Sequence, residues 1–512
     1  MSSSRSETSS GDSIRIELLP LGEILSAPHG TSLHDVLFAK GVEFPCGGQG
    51  RCRGCRIRVI EGELPLTDAE ENLLSREELE AGWRLACRGI VREDLKLDLA
   101  QWETPILADD SEFSFSPRDG LGVAVDLGTT TIAAQLIDMR SGKVLGVRTA
   151  LNSQARHGAD IMSRIEHATA RNGQEQLKRM IREQVGDLIS KLHTVPDESH
   201  PPLTEVVLVG NTAMHHFFCD IDITPLAQHP FEPVDGGLKV FHASQLGWEL
   251  ENDCVVRFLP CLGGFVGSDV LVGLLATRIH EQESPQALVD LGTNGEIVVG
   301  NREKLLVAST AVGPAFEGAR ISMGMRAATG AISGVVVQDH KLQCRVQGSV
   351  PPRGICGSGL VDAIAAGLEL NHIEFSGRLA GADTLVLSPP VQLTQGDIRE
   401  LQLAKGAIAA GIRILVQQWG EMPGGLSRVY LAGAFGNYIN RSSAQRIGLI
   451  AFDPDRVYPA GNTALRGAKL ALFDDTPDLA SCRDVLELVE HVTLNSDASF
   501  QDIFVEELQF PS

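Results

Sequence analysis

LGVAVDLGTTTIAAQLID at residues 121–138 and PQALVDLGTNGEIVVGN at residues 285–301 share the core Val-Asp-Leu-Gly-Thr, each time between two runs of strand character. Apolar runs broken by a glycine bend predict strand–turn–strand, and two copies in one chain point to an internal duplication. A second pair of segments strengthens that reading. VVLVGNTAMHHFF at 206–218 and VYLAGAFGNYINR at 429–441 both run apolar strand, glycine turn, helix. Each half thus carries a strand–turn–strand followed downstream by a strand–turn–helix.

A turn of this kind suits a polyphosphate. Gly128 and Gly292 keep it slim enough for backbone N–H groups to approach phosphate oxygens, while Thr129, Thr130 and Asn294 offer side-chain donors. Thr293 and Gly295 complete the candidate nucleotide-binding set. Asp126 and Asp290, at the ends of their strands, can hold a hydrated Mg²⁺ or orient an attacking water, which makes them the candidate catalytic pair. Two such turns facing one another would clamp one nucleotide between two domains. Gly433 and Gly436 would then lie flat against the adenosine, where a side chain has no room. The sequence holds no G-x-x-x-x-G-K-[ST], so a P-loop is excluded.

A different chemistry occupies the first hundred residues. In FPCGGQGRCRGC (44–55) and RLACR (84–88), Cys46, Cys52, Cys55 and Cys87 stand in the order Cys-x5-Cys-x2-Cys-x31-Cys. Three thiolates crowded into one glycine-rich loop, with a fourth arriving from far along the chain, predict the ligand set of a [2Fe-2S] cluster. Gly47, Gly48, Gly50 and Gly54 let the loop wrap tightly and turn N–H groups toward the sulfurs. A zinc knuckle usually shows two close cysteine pairs. The opening MSSSRSETSSGDS lacks the apolar core of a signal peptide, which argues against a disulfide framework. The plant-type spacing places four residues between the first two cysteines where this chain has five, and here the loop resembles the adrenodoxin branch of the ferredoxins.

Composition bounds the remainder. With 512 residues, 43% hydrophobic and 21% charged, the chain reads as soluble, globular and long enough for about three domains. A net charge of -22 excludes nucleic acid as a partner, because phosphate binding needs a basic face. Apolar runs such as VVLVG and GVAVDLG fall far short of the roughly 20 residues of a membrane span. A reducing cytoplasm is expected, with Cys219, Cys254, Cys261, Cys344, Cys356 and Cys482 as small buried hydrophobes.

The expected organisation is a disordered tail over 1–13, a small β-rich domain over 14–100, a linker over 101–119, a smaller lobe over 120–203, a larger lobe over 204–485 and closing C-terminal strands over 486–512. Within the first domain, IRIELL and EILSA form a hairpin, TSLHDVLFAKG a short helix with Thr31 as N-cap, and CRIRVIEG a strand after the cysteine loop. That order resembles a ferredoxin-type β-grasp domain.

The paired D-L-G-T turns and the late A-G-A-F-G resemble the actin, sugar kinase and Hsp70 superfamily of ATPases, duplicated α/β domains around an ATP cleft. The fold class expected is therefore α/β with an α+β N-terminal domain: a β-grasp ferredoxin domain followed by a duplicated actin-like ATPase fold. The whole combination resembles the reductive activators of corrinoid proteins, through NSQARHGADIMSRI, VGNTAM, DLGTNGEI, STAVGPAFEGARI, GICGSGLVDA, LAGAFGNYI and FQDIFVEELQF. The resemblance implies a [2Fe-2S] cluster, ATP and Mg²⁺. It implies one-electron reduction of Co(II) to Co(I) in a corrinoid protein of a methyltransferase system, fed by an upstream electron donor, with a homodimer left open. Plant-type potentials lie near about -400 mV, and the resemblance implies a lower Co(II)/Co(I) couple. A gap of ~120 mV would disfavour the product about a hundredfold. Two other readings stand beside it: an ATP-dependent activator of a radical dehydratase or reductase, and an electron carrier whose ATPase lobes are an inert docking body.

Several residues carry competing expectations. His215 and His216 either approach a corrinoid or point apart on one helix, and Glu317 either serves the nucleotide or caps a helix. Ser309, Thr310 and Ser358 either meet a ligand or only shape their turns, and DAEENLLSREELE (68–80) is expected to be a solvated helix face.

Overall fold

The computed structural model describes residues 13–19, 23–38, 42, 50, 55–99, 115–158, 160–170, 173–193, 201–250, 252–292, 294–313, 315–318, 320–420, 425–436, 438–474, 476 and 479–511. The chain divides into two units, Met1–Thr104 and Pro105–Ser512. Among the described residues no helix is long and apolar enough to cross a membrane. Residues 1–12 of the tail expected over 1–13 and residues 101–114 of the linker expected over 101–119 lie outside the described residues, while Ser13 already belongs to the first strand.

In the first unit β1 (Ser13–Leu19) and β2 (Glu23–Pro28) make the expected antiparallel hairpin. With β3 (Arg56–Glu61), β4 (Trp83–Leu85) and β5 (Leu95–Leu99) they form one sheet in the order β2-β1-β5-β3-β4, and β1 runs parallel to β5. Ile14, Ile16 and Leu18 are buried while Arg15 is exposed, the alternation of a sheet covered on one face. The helix Leu33–Phe38 buries Leu33 and Leu37. Its start excludes Thr31 as the cap. The Thr31 hydroxyl instead donates to Pro28 O at 2.7 Å, where the chain leaves the hairpin. The acidic stretch forms the helices Asp68–Leu73 and Arg76–Glu80, exposed along most of their length. Glu70 breaks that pattern: it is 1% exposed.

The second unit begins with β6 (Leu121–Leu127), β7 (Thr131–Asp138), β8 (Lys143–Leu151), β9 (Leu203–Val209), β10 (Lys239–His242) and β11 (Val255–Phe258), in the order β10-β11-β9-β6-β7-β8. Then follow β12 (Gln286–Leu291), β13 (Asn294–Gly300) and β14 (Leu305–Ala311). A small sheet of β15 (Ala331–Gln338), β16 (Lys341–Val346) and β17 (Gly354–Ile355) and a hairpin of β18 (Thr384–Ser388) and β19 (Val391–Thr394) are inserted next. β20 (Arg428–Ala432), β21 (Val457–Gly461) and β22 (Val489–His491) complete a second sheet in the order β21-β20-β12-β13-β14-β22.

The duplication is visible in the pairing. β6 is antiparallel to β7 and parallel to β9, which is parallel to β11; β12 is antiparallel to β13 and parallel to β20, which is parallel to β21. The boundary expected at residue 203/204 falls inside the first sheet, because β9 takes its place beside β6 and brings β11 with it. The stretch 486–512 also differs from the expected strands. It holds the three-residue β22 and the helix Phe500–Glu507, which packs against the helix Gln395–Trp419.

Among the described residues three large apolar clusters hold this unit, beside a small one around Met325. One contains Val125, Leu136 and Phe217, a second Val289, Ile297 and Ile408, and a third joins Ala124, Val207, Leu271, Leu288 and Leu465 from both halves. Each buried Leu, Ile or Phe contributes about 1.5–3 kcal/mol. The third cluster surrounds the helices Ser268–Thr277 and Thr463–Ala471, so the two halves share their middle layer. At Gly467 that helix lies against Val272 O, and any Cβ there would clash with it.

Candidate functional site

Parallel pairing of β6 with β9 and of β12 with β20 sets Asp126 and Asp290 at matching strand ends of the two sheets, and the apolar layer shared by both halves brings those ends to one recess. Asp126 lies at the end of β6, partly exposed, and its carboxylate accepts from Asn462 Nδ2 at 2.9 Å. Burial pushes Asp126 up to about 6, partly opposed by that hydrogen bond. Asp290 is pushed up to about 7, first by burial and then by the negative charge of Asp126. The two candidate catalytic carboxylates are thus near enough to repel each other.

Two further acids belong to the same recess and were missed in the sequence. Asp269 opens the helix Ser268–Thr277 and is raised to about 7, by burial, then by Asp290 and Asp126. Glu296 stands directly across from Asp290 in the β12–β13 ladder and is raised well above the ordinary range by burial, Asp269 and Asp290. A signal for Glu296 existed, a lone charge inside the apolar run NGEIVVG. Asp269, in contrast, is delivered by tertiary packing alone.

The β6–β7 turn is held rigidly from behind. Gly128 N donates to Thr131 O at 3.1 Å across the turn. Asn152 Nδ2 donates to Gly128 O at 2.9 Å, and the fully buried Arg164 donates through Nη2 to Thr129 O at 2.6 Å. NSQARHGADIMSRI is therefore the bracket of this turn. Burial lowers Arg164 to about 9, with Asp160 and Glu317 opposing the shift. Asn211 Nδ2 donates to Thr129 Oγ1 at 2.9 Å, which leaves the Thr129 hydroxyl hydrogen to be donated elsewhere. Asn211 also caps the helix Thr212–Cys219. Arg326, from the second half, reaches Thr131 Oγ1 at 3.5 Å.

The glycines divide by what lies beside them. Gly433 has φ +81°, and a Cβ there would stand 2.6 Å from Asp290 Oδ1. Its bare backbone makes room for the carboxylate. Gly436 faces Leu431 and Gly295 faces Val312, so both serve packing. Gly292 is open, its nearest neighbour being Asn294 O at 3.5 Å. The Asn294 side chain bonds Glu296, Thr130 is partly exposed at the turn, and Thr293 lies outside the described residues.

Other candidates resolve into structure. His215 and His216 are fully buried, hydrogen-bonded to Gly237 O at 3.1 Å and Thr212 O at 2.8 Å, and burial lowers both, His215 to about 4. Ser358 Oγ donates to Ser333 O at 3.0 Å. Ser309 and Thr310 pair with Glu296 and Gly295 on β14. Cys254, Cys261, Cys356 and Cys482 are buried free thiols, while Cys219 and Cys344 are half-buried.

In the first unit Cys55 is buried at the entry to β3 and Cys87 lies in the short turn Ala86–Arg88 after β4. The backbone bond Ala86 N to Cys55 O, 2.9 Å, ties the two positions together. Gly50 has φ +67° and lies against the side chain of Arg88, the residue after Cys87. Glu70 fixes this corner from inside: its carboxylate accepts from Leu85 N at 2.7 Å and from Thr67 N at 2.9 Å. Two cysteines brought to adjacent strand ends fit half of a four-thiolate cluster site. Cys46 and Cys52 lie outside the described residues.

Comparison with known proteins reaches the whole chain. Residues 16–92 match a 2Fe-2S iron-sulfur cluster binding domain, 121–282 the RACo middle region, and 284–512 the C-terminal domain of RACo, the ASKHA domain. The corrinoid activation enzyme RamQ of Eubacterium limosum is 33% identical, over 91% of this chain and 93% of that protein. The chain belongs to this family of corrinoid activators. The [Co(II) methylated amine-specific corrinoid protein] reductase of Methanosarcina barkeri is 26% identical, with 76% of this chain and 77% of that protein covered. A solved structure, the reductive activator for corrinoid, iron-sulfur protein, aligns with a TM-score of 0.69 at 26% identity, over 97% of this chain and 98% of that one. Membership agrees with a ferredoxin-type domain followed by a duplicated ATPase fold.

Proposed function

We propose that the chain reductively activates a corrinoid protein. A [2Fe-2S] cluster held in the first unit would supply one electron for reduction of the partner's Co(II) to Co(I), the methyl-accepting state of a methyltransferase system, and the recess of the second unit would bind ATP. An upstream donor returns the electron. The observation that carries this reading is the union, in one chain, of a Cys55–Cys87 corner with a recess where two repeated turns present Asp126 and Asp290. Full-length similarity to corrinoid activators supports it.

The residues divide the work by chemistry. The N–H groups of the Gly128 and Gly292 turns and the Thr129 hydroxyl bind phosphate oxygens. Asp126 and Asp290 repel one another in a half-buried site, so a cation between them relieves a cost already present. Mg²⁺ keeps several of its waters. Among the described residues no three of His, Cys, Asp and Glu converge to grip a metal directly, which suits a hydrated ion. Asp269 and Asp290, each raised to about 7 in the same recess, are the carboxylates suited to accept a proton from water attacking the terminal phosphate. Cys46, Cys52, Cys55 and Cys87 would hold the cluster, which supplies one-electron transfer.

The test is anaerobic. Reduced protein is mixed with Co(II) corrinoid proteins and the Co(I) absorption followed with and without ATP. Co(I) that forms only with nucleotide is the expected result; equal yields in both mixtures would overturn the proposal.

A further inference from the structure

The helix Thr463–Ala471 connects two places that the chain separates widely. At its N-terminus Asn462 does two things at once: its Oδ1 accepts from Leu465 N at 2.8 Å, capping the helix, and its Nδ2 donates to Asp126 at 2.9 Å. At the other end Leu472 O accepts from Arg118 Nη1. Phe473, next along, packs on Phe115 with ring centroids 4.5 Å apart. Phe115 and Arg118 belong to the stretch that leads in from the first unit.

That stretch is anchored with care. Arg118 Nη2 pairs with Glu205 at 2.9 Å, and Glu205, 3% exposed, is also paired with Arg257 at 2.8 Å. Arg118 N donates to Met139 O at 3.0 Å, and the Phe115 ring fills the space beside Gly142. A buried carboxylate between two guanidiniums holds its partners in one geometry, because losing one leaves uncompensated charge. Nine helical residues span about 14 Å as a stiff rod. The rod lies at backbone contact on the helix Ser268–Thr277 through Gly467, and small sliding is the way packed helices move against one another.

We propose that Asn462 is a positioning residue through which this helix carries the state of the recess to the Phe115–Arg118 anchor, and so to the tether of the iron-sulfur unit. The proposal rests on the reading of the recess as a nucleotide site. Filling the site draws Asp126 toward its ligand, Asn462 follows, and the displacement reappears at Leu472 and Phe473, where Arg118 and Phe115 are held.

Hydrogen exchange on the full-length protein, with and without Mg·ADP, tests it, with calorimetry measuring ADP affinity in parallel. In the wild type Mg·ADP is expected to change exchange at residues 115–120 by about threefold or more. Asn462→Ala is expected to bind ADP yet show no change there. Phe115→Ala, remote from the recess, is expected to keep wild-type ADP affinity and protection of Thr463–Ala471 while losing the response at 116–120. ADP binding without any response at 115–120 in the wild type, or an undiminished response in either variant, would overturn the coupling and leave the nucleotide site intact. A wild type that binds no ADP would overturn the proposed function itself.

Discussion

Gly433 and Asp290 are made for each other at the level of single atoms. The glycine's positive φ and the 2.6 Å distance to Asp290 Oδ1 mean that Gly433→Ala adds backbone strain and displaces a carboxylate together. Calorimetry is expected to show nucleotide affinity falling at least about tenfold, with about 1–3 kcal/mol of stability lost in denaturant titration. Asp290 itself holds a second prediction. A carboxyl raised from 3.8 to about 7 keeps its proton in the fold where the unfolded chain has released it. Its contribution is therefore favourable below the unfolded value and is lost as pH climbs from about 4 through about 7. The melting temperature of the nucleotide-free protein should fall across that window, and Mg²⁺ should flatten the fall. Asp290→Asn should melt about 2–4 °C above the wild type at pH 8. The same variant should reduce no Co(II), whereas unchanged electron delivery would favour the inert-body reading.

Elements, more than residues, decide how the sites are aimed. The short acidic helix that begins at Asp68 looks solvated in sequence, yet its Glu70 accepts from Leu85 N two positions before Cys87. Glu70→Ala leaves that N–H unpaired, at a cost of about 1–3 kcal/mol. Its visible cluster absorption should bleach faster in air than the wild type's, with nucleotide affinity unchanged. Arg164→Ala should do the reverse. Without its bond to Thr129 O the β6–β7 turn loosens, so ATP affinity falls while the absorption spectrum stays the same. The contrast follows what was legible beforehand. Val-Asp-Leu-Gly-Thr announces a turn between two apolar strands, and at Gly128 a Cβ would stand 2.5 Å from Thr131 O, so Asp126 and Asp290 could be placed from the letters. Asp269 could not, because a helix delivered by tertiary packing carries it there, whereas Glu296 is marked by its lone charge in NGEIVVG and is set opposite Asp290 by the hairpin turn. The same limit explains the misplaced boundary at 203, since β9 is drawn into the first sheet by pairing with β6.

The molecule as a whole joins two units that each have their own interior, an iron-sulfur one and a nucleotide one. Cutting the chain between them should leave a first fragment that still binds iron and a second that still binds nucleotide. Remixing the two should fail to restore nucleotide-dependent Co(I) formation, because the Phe115–Arg118 anchor acts only through a continuous chain. The layered middle of the second unit has a consequence during synthesis. Ala124, Val207 and Val209 of the first sheet face a cluster completed by Leu465, Ala468 and Leu472. On a translating ribosome that sheet is assembled well before its cover emerges, so a greasy surface waits bare in the cell, and a chaperone that shields nascent chains should raise the yield of native protein.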